Sequence, residues 1–216
     1  MIKLYSYFRS SASFRVRIAL ALKGLSYEYV PIHLLKGGGE QFAAAYRELN
    51  PAALTPTLIV DDGAAMAQSL AIIEYLDETH PLPRLLPVDP TDRAYVRSIA
   101  LQIACEIHPL NNLRVLRYLK DNLNVEEEQK SAWYAHWIAL GFDAIEQTLA
   151  ADPRTGRFCF GGDVTLADIC LIPQVFNAKR MGVALDKYPT IARINDAASD
   201  LEAFARAEPS VQPDAS

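Results

Sequence analysis

At 216 residues the chain can hold two modest domains or one large one. A composition 50% hydrophobic and 22% charged excludes a disordered chain, and a net charge of −5 argues against general nucleic-acid binding, which needs a basic face. No apolar run approaches the ~18 residues of a membrane span, and "MIKLYSYFRSS" lacks the basic-then-apolar order of a signal peptide.

Ile2 to Tyr7 reads as a strand and Ser13 to Lys23 as a helix stopped by Gly24. Phe14, Ile18, Ala21 and Leu22 share one face of that helix, which leaves Arg15 and Arg17 on its flanks. Ser26 to His33 alternates like a strand, with Pro31 suited to an edge. "KGGGE" is a loop, Gln41 to Leu49 a helix ended by Asn50-Pro51, and "TLIV", Asp61-Asp62-Gly63 and "AAMA" a hairpin. "QSLAIIEYLDETH" completes this half as a helix with Ile72, Ile73 and Leu76 inward. The order is β-α-β-α-β-β-α.

Pro81, Pro83, Pro87 and Pro90 then mark a linker. From Thr91 onward the patterns are helical, and Pro109 and Pro173 inside them should kink or break their helices. Thr165 to Asp168 reads as a capping box and Glu126-Glu127-Glu128 as a solvated helix start. Trp133, Tyr134 and Trp137 read as core, and "SVQPDAS" as a loose tail. The cysteines, Cys105, Cys159 and Cys170, are odd in number and lack C-x-x-C or zinc spacing, so they read as small core residues of a reducing, cytoplasmic compartment with no metal. An α/β half (1–82) thus precedes an all-α half (91–216) across a linker at 83–90.

By themselves Ser10, Ser11 and Ser13 read equally well as helix caps, and Arg9, Arg15 and Arg17 as a solvated flank. The segments "YSYFRSSASFRVRIALALKGL", "ALTPTL", "QSLAIIEYLDETHP", "LLPVDP", "IHPLNNLRVL", "GDVTLADICLIPQV" and "YPTI" shift that balance. Together they resemble the zeta-class glutathione transferases, the maleylacetoacetate isomerases, and the related maleylpyruvate isomerases. The resemblance runs from Lys3 to about Asp214 and implies a thioredoxin-like domain joined to a helical one. One position departs: Ala12 stands where the class usually has cysteine.

The resemblance implies a glutathione-dependent cis–trans isomerase, in which the glutathione thiolate adds to a cis double bond, the single bond rotates, and the thiolate leaves. Glutathione is then a cofactor that is not consumed. The implied substrate is maleylacetoacetate, from aromatic amino-acid breakdown; maleylpyruvate is the alternative, and general conjugating or dehalogenating activity a further one. Ser10 would face the sulfur, with Ser11 a secondary contact and Arg9 on the substrate. A thiol near pKa ~8.5 needs about 2.7 kcal/mol to fall two units. A hydroxyl bond to an anion offers roughly 1.5–3 kcal/mol and a helix N-terminus perhaps 0.3–1.

By the same resemblance Thr55 before Pro56 pairs with the cysteinyl backbone, and Gln68 and Ser69 hold the γ-glutamyl carboxylate. Ala12, Gln41, His108, Asn112 and Arg114 complete the cofactor contacts, and Arg9, His108, Arg114 and Arg180 meet the dianionic substrate. Alone, Thr-Pro is an ordinary turn, Gln-Ser an ordinary cap and each arginine a solvated helix face. Arg15 and Arg17 are expected to serve interdomain or dimer pairing. The family's architecture implies a homodimer, with no nucleic-acid or membrane partner.

Overall fold

The computed structural model describes residues 1–61 and 63–215. The expected Asp61-Asp62-Gly63 turn includes Asp62, which lies outside the described residues. Two compact units form: Met1–Arg84 together with the segment from Leu201 onward, and Leu85–Asp200.

In the first unit, β1 (Lys3–Ser6) leads through a short loop into α1 (Ser11–Leu22), and β2 (Glu28–Pro31) returns parallel to β1. Parallel neighbours need such a crossover, and the helix supplies it. After α2 (Ala44–Leu49), β3 (Thr57–Ile59) and β4 (Ala65–Ala67) add antiparallel strands, giving the order β2-β1-β3-β4. Pro31 therefore sits on an edge strand, where its missing N–H costs no ladder bond. Gln41 lies in a separate 3-10 turn, Glu40–Phe42, rather than in the helix expected from Gln41. α3 (Ser69–Thr79) packs on α1, burying Ile72, Ile73 and Leu76 with Phe14, Ile18 and Leu20.

Two further expectations fail in this unit. Arg15 and Arg17 are not flanking residues but are 2% and 1% exposed, because α1 is covered on nearly every side. The C-terminal tail is not loose as far as Ala215, and Ser216 lies outside the described residues. α9 (Glu202–Ala207) packs on α1, a 3-10 turn spans Pro209–Val211, and Gln212 donates to the carbonyls of Arg206 (3.0 Å) and Glu208 (2.8 Å). Residues from Leu201 onward, assigned by sequence to the helical half, thus cluster with the α/β unit.

The second unit is helical. α4 (Pro90–Leu101) passes into a π-helical turn, Gln102–Ile107, then a 3-10 turn, Pro109–Asn111, before α5 (Leu113–Asp121). The widened turn ends with His108 N–H on the Ile103 carbonyl at 2.9 Å, directly before Pro109, which has no N–H to continue the ladder. α6 (Glu127–Ala151) begins with a capping box of Glu126 and Gln129. α7 (Leu166–Arg180) is unbroken through Pro173, where burial of its neighbours offsets the lost bond. The Thr165–Asp168 capping box is present, and Asp168 also accepts the Cys159 N–H at 2.7 Å. α8 (Pro189–Ser199) packs on α6 and α7. Cys159 and Cys170 are buried, but Cys105 is exposed on the π-helical turn and is not a core residue.

Candidate active site

Register gathers the first set of candidate residues. Tyr5, Thr57 and Ala67 lie side by side across β1, β3 and β4. The chain beyond each therefore emerges at one end of the sheet: the Tyr7–Ser10 loop, the Thr55-Pro56 step and the Gln68-Ser69 start of α3. Sequence order separates these segments by tens of residues, and strand pairing joins them.

Ser10 is the N-cap of α1, and its Oγ accepts the Ser13 N–H at 3.2 Å. The bond uses a lone pair and leaves the O–H to donate outward. Ser11 is 6% exposed and Ser13 fully buried, so of the three serines Ser10 is the one half-exposed. Ala12 is half-buried at the second position of α1. Arg9 is exposed but not loose. Its Nε and one terminal nitrogen donate to the Tyr7 hydroxyl at 3.3 and 3.0 Å, and its guanidinium lies 5.1 Å from the Phe8 ring centre.

The Thr55–Pro56 peptide is cis, and Thr55 Oγ1 is buried without a hydrogen-bond partner. The segment is held from behind: the Tyr46 hydroxyl donates to the Leu54 carbonyl at 2.6 Å, and Asn50 Nδ2 to the same oxygen at 2.8 Å. Gln68 caps α3 with φ 73° and ψ 114°, a region that costs a non-glycine residue about 1–3 kcal/mol. The Gln68 side chain makes no capping hydrogen bond to this helix start. Ser69 is 6% exposed, and its Oγ accepts from Arg15 at 3.3 Å, which places a buried cation behind it. Gln41 is 4% exposed with Oε1 unpartnered. Its amide sits where a side chain at Gly39 (φ 121°) would begin, 2.6 Å from an added Cβ.

The helical unit carries the second set. Asn112 caps α5 and accepts the Arg114 N–H at 3.1 Å, and the Arg114 side chain is exposed. Asn111 donates to the Tyr134 carbonyl at 3.0 Å and Trp133 Nε1 to the Leu110 carbonyl at 2.9 Å, tying this turn to α6. Arg180 reaches the Tyr134 hydroxyl at 3.4 Å. Burial pushes the Tyr134 phenol above its ordinary range, so it stays protonated against the arginine.

The sequence reading missed Tyr7, Asn50, Tyr46 and Arg15 as supports, and took Trp133 and Tyr134 as core only. Apart from Tyr7, which meets Arg9 two residues on, each acts through a contact with residues far along the chain or through a backbone carbonyl, which residue type alone does not reveal.

Residues 4–84 match the N-terminal domain of glutathione S-transferases, and residues 132–206 their C-terminal domain. The maleylacetoacetate isomerase of Rattus norvegicus is 52% identical over 98% of this chain and 94% of its own. A holo structure of a maleylpyruvate isomerase, described as a bacterial zeta-class glutathione transferase, superposes with TM-score 0.95 at 46% identity, covering 99% of this chain and 100% of that one. The chain belongs to the zeta class of the glutathione S-transferase family. Within that class, a maleylacetoacetate isomerase from Methylobacterium extorquens with bound malonate and glutathione also gives TM-score 0.95, at 40% identity over 99% of both chains.

Glutathione has an extended backbone, two carboxylates and a thiol. The orphaned Thr55 hydroxyl and Gln41 Oε1 each lack a partner that a bound peptide would supply. The open N-terminus of α3, backed by Arg15, suits a carboxylate. The residues fit the group. Among the described residues, no three His, Cys, Asp or Glu side chains are grouped to hold a metal, and no helix is long and apolar enough to cross a membrane.

Proposed function

We propose that this chain is a glutathione-dependent cis–trans isomerase converting maleylacetoacetate to fumarylacetoacetate. Its 52% identity to the rat maleylacetoacetate isomerase carries the reading. Maleylpyruvate is the second reading, favoured by the 46% identity to the zeta-class maleylpyruvate isomerase. The two substrates share the reacting unit and differ in the length of the keto tail.

Bound glutathione supplies the thiol, the nucleophile that a cis double bond needs before its carbons can rotate. Thr55, with Pro56 fixing the chain after it, would hold the peptide backbone, while Gln68 and Ser69 would hold its γ-glutamyl carboxylate and Gln41 a further polar group. Ala12 would contribute only van der Waals contact. Ser10 would donate its O–H to the sulfur and favour the anion, helped by the α1 N-terminus. Ser11, mostly buried beside it, would act secondarily.

Arg9, Arg114 and Arg180, with His108, would hold the substrate carboxylates and the charge that develops on the keto group. His108, Asn112 and Arg114 would also touch the cofactor. In a chain of net charge −5, such local cations are the means of attracting a dianion. The three cysteines, all free, suit a reducing cytoplasm, and a homodimer is the proposed assembly.

A coupled assay on both maleyl substrates, with and without glutathione, tests the reading. Turnover of maleylacetoacetate only when glutathione is present is expected; equal rates without it would reject the mechanism. Sedimentation should give a species twice the 23.9 kDa chain mass, and a monomer alone at micromolar concentration would reject the dimer.

A further inference from the structure

Both peptide groups of Phe8, between Tyr7 and Arg9 in the loop that leads to Ser10, are held by residues far along the chain. Its N–H donates to Asp214 Oδ2 at 3.1 Å, and its carbonyl accepts from Arg17 at 2.9 Å. The other oxygen of Asp214 accepts the Tyr29 hydroxyl at 2.5 Å, so the carboxylate spans β2 and the loop. Arg17 is 1% exposed and donates through Nε to the Ala207 carbonyl (2.9 Å), at the end of α9, and through a terminal nitrogen, Nη1, to Ser6 Oγ (3.2 Å) at the end of β1. The folded segment from Leu201 thus clamps the loop from one side, and α1 clamps it from below.

We infer that the C-terminal segment is part of the thiol-handling apparatus, with Asp214 and Arg17 as positioning residues that fix the two peptides flanking Phe8 and thereby aim Arg9 and Ser10. The inference rests on the roles proposed above for those two residues. The loop is short, and Ser10 N–H closes it on the Tyr7 carbonyl at 3.0 Å, so a rotation of either peptide flanking Phe8 is passed on to Arg9 and Ser10. A tail needed only for stability could have covered α1 with apolar contacts. Here a carboxylate and a guanidinium each meet a polar group of one of the two successive peptides that flank Phe8, which sets the orientation of both as well as their burial.

The test compares Asp214→Ala, Asp214→Asn and Tyr29→Phe with the parent by three readouts: amide hydrogen exchange without ligand, the pH midpoint of bound-glutathione thiolate absorbance, and separate kcat and KM values. For Asp214→Ala, exchange at Ser10 should quicken about five- to thirtyfold, as loss of one or two local bonds predicts. The thiolate midpoint should rise by about half a unit to one unit, and kcat should fall while KM for the maleyl substrate stays within about twofold. Asp214→Asn, which keeps an acceptor for Phe8, and Tyr29→Phe, which keeps the carboxylate, should each lie between the parent and Asp214→Ala. They also serve if the alanine variant does not fold. A lower melting temperature with unchanged Ser10 exchange and an unchanged thiolate midpoint would show a merely structural tail and overturn the inference. If the parent turns over neither maleyl substrate, the proposed function fails, while exchange and the thiolate midpoint still decide the role of the tail.

Discussion

Ser10 Oγ accepts the backbone N–H of Ser13 at 3.2 Å, so one hydroxyl caps α1 and still has its proton to give. Replacing Ser10 by Ala removes both functions. The cap loss should cost about 1 kcal/mol of stability, measured by denaturant unfolding. Loss of a charge-assisted bond should lower kcat/KM by about ten- to a hundredfold. Ser11→Ala, at a mostly buried position, should do much less to catalysis. Equal activity of Ser10→Ala and the parent at pH 7 would remove Ser10 from the mechanism.

Arg180 meets the Tyr134 hydroxyl, a neutral partner that leaves its charge for another anion. Arg180→Ala should reduce kcat/KM for the dianionic substrate about ten- to a hundredfold and leave glutathione affinity unchanged by calorimetry. Arg180→Lys should recover only part, because an ammonium cannot reproduce a bidentate grip. A matching loss in glutathione affinity would contradict this division of labour.

Gln68 holds φ 73° at the start of α3. Gln68→Gly should relieve strain of about 1–3 kcal/mol while adding about 0.4–1 kcal/mol of unfolded-state freedom. The expected result is a protein at least as stable as the parent that binds glutathione more weakly. Lower stability together with unchanged affinity would mean that the Gln68 side chain serves the fold rather than the ligand.

Asp152 is held by hydrogen bonds from the Arg154 side chain and backbone, which bring its carboxyl down to about 2. A carboxyl lowered on folding stabilises the protein above its unfolded pKa, and that contribution is lost as pH falls through the folded value. The stability gap between the parent and Asp152→Asn should therefore be constant above about pH 4, narrow below it, and close near pH 2. Thermal melts across that range check this, and a gap independent of pH would exclude the carboxylate charge as its source.

Periodicity and turn chemistry made the order of strands and helices legible, because Gly24, the Asn50-Pro51 pair and the Thr165–Asp168 box act locally. Expectations that depended on coverage fared differently. Arg15 and Arg17 sit in an apolar helix and look like solvated flanks until α3 and α9 close over them. "SVQPDAS" has the composition of a loose end until Gln212 and Asp214 find carbonyl and N–H partners.

By itself, then, the sequence determined the α/β-then-helical order, the serine cap and the residue types able to hold a thiolate and a dianion, since these follow from local backbone preference and side-chain chemistry. Tertiary structure alone decided which of the three clustered serines stays open, that Arg15 would stand behind Ser69, and that Asp214, more than 200 positions away, would hold the N–H of Phe8. Hydrogen bonds between distant segments depend on strand register and helix packing, which no local pattern of residues encodes.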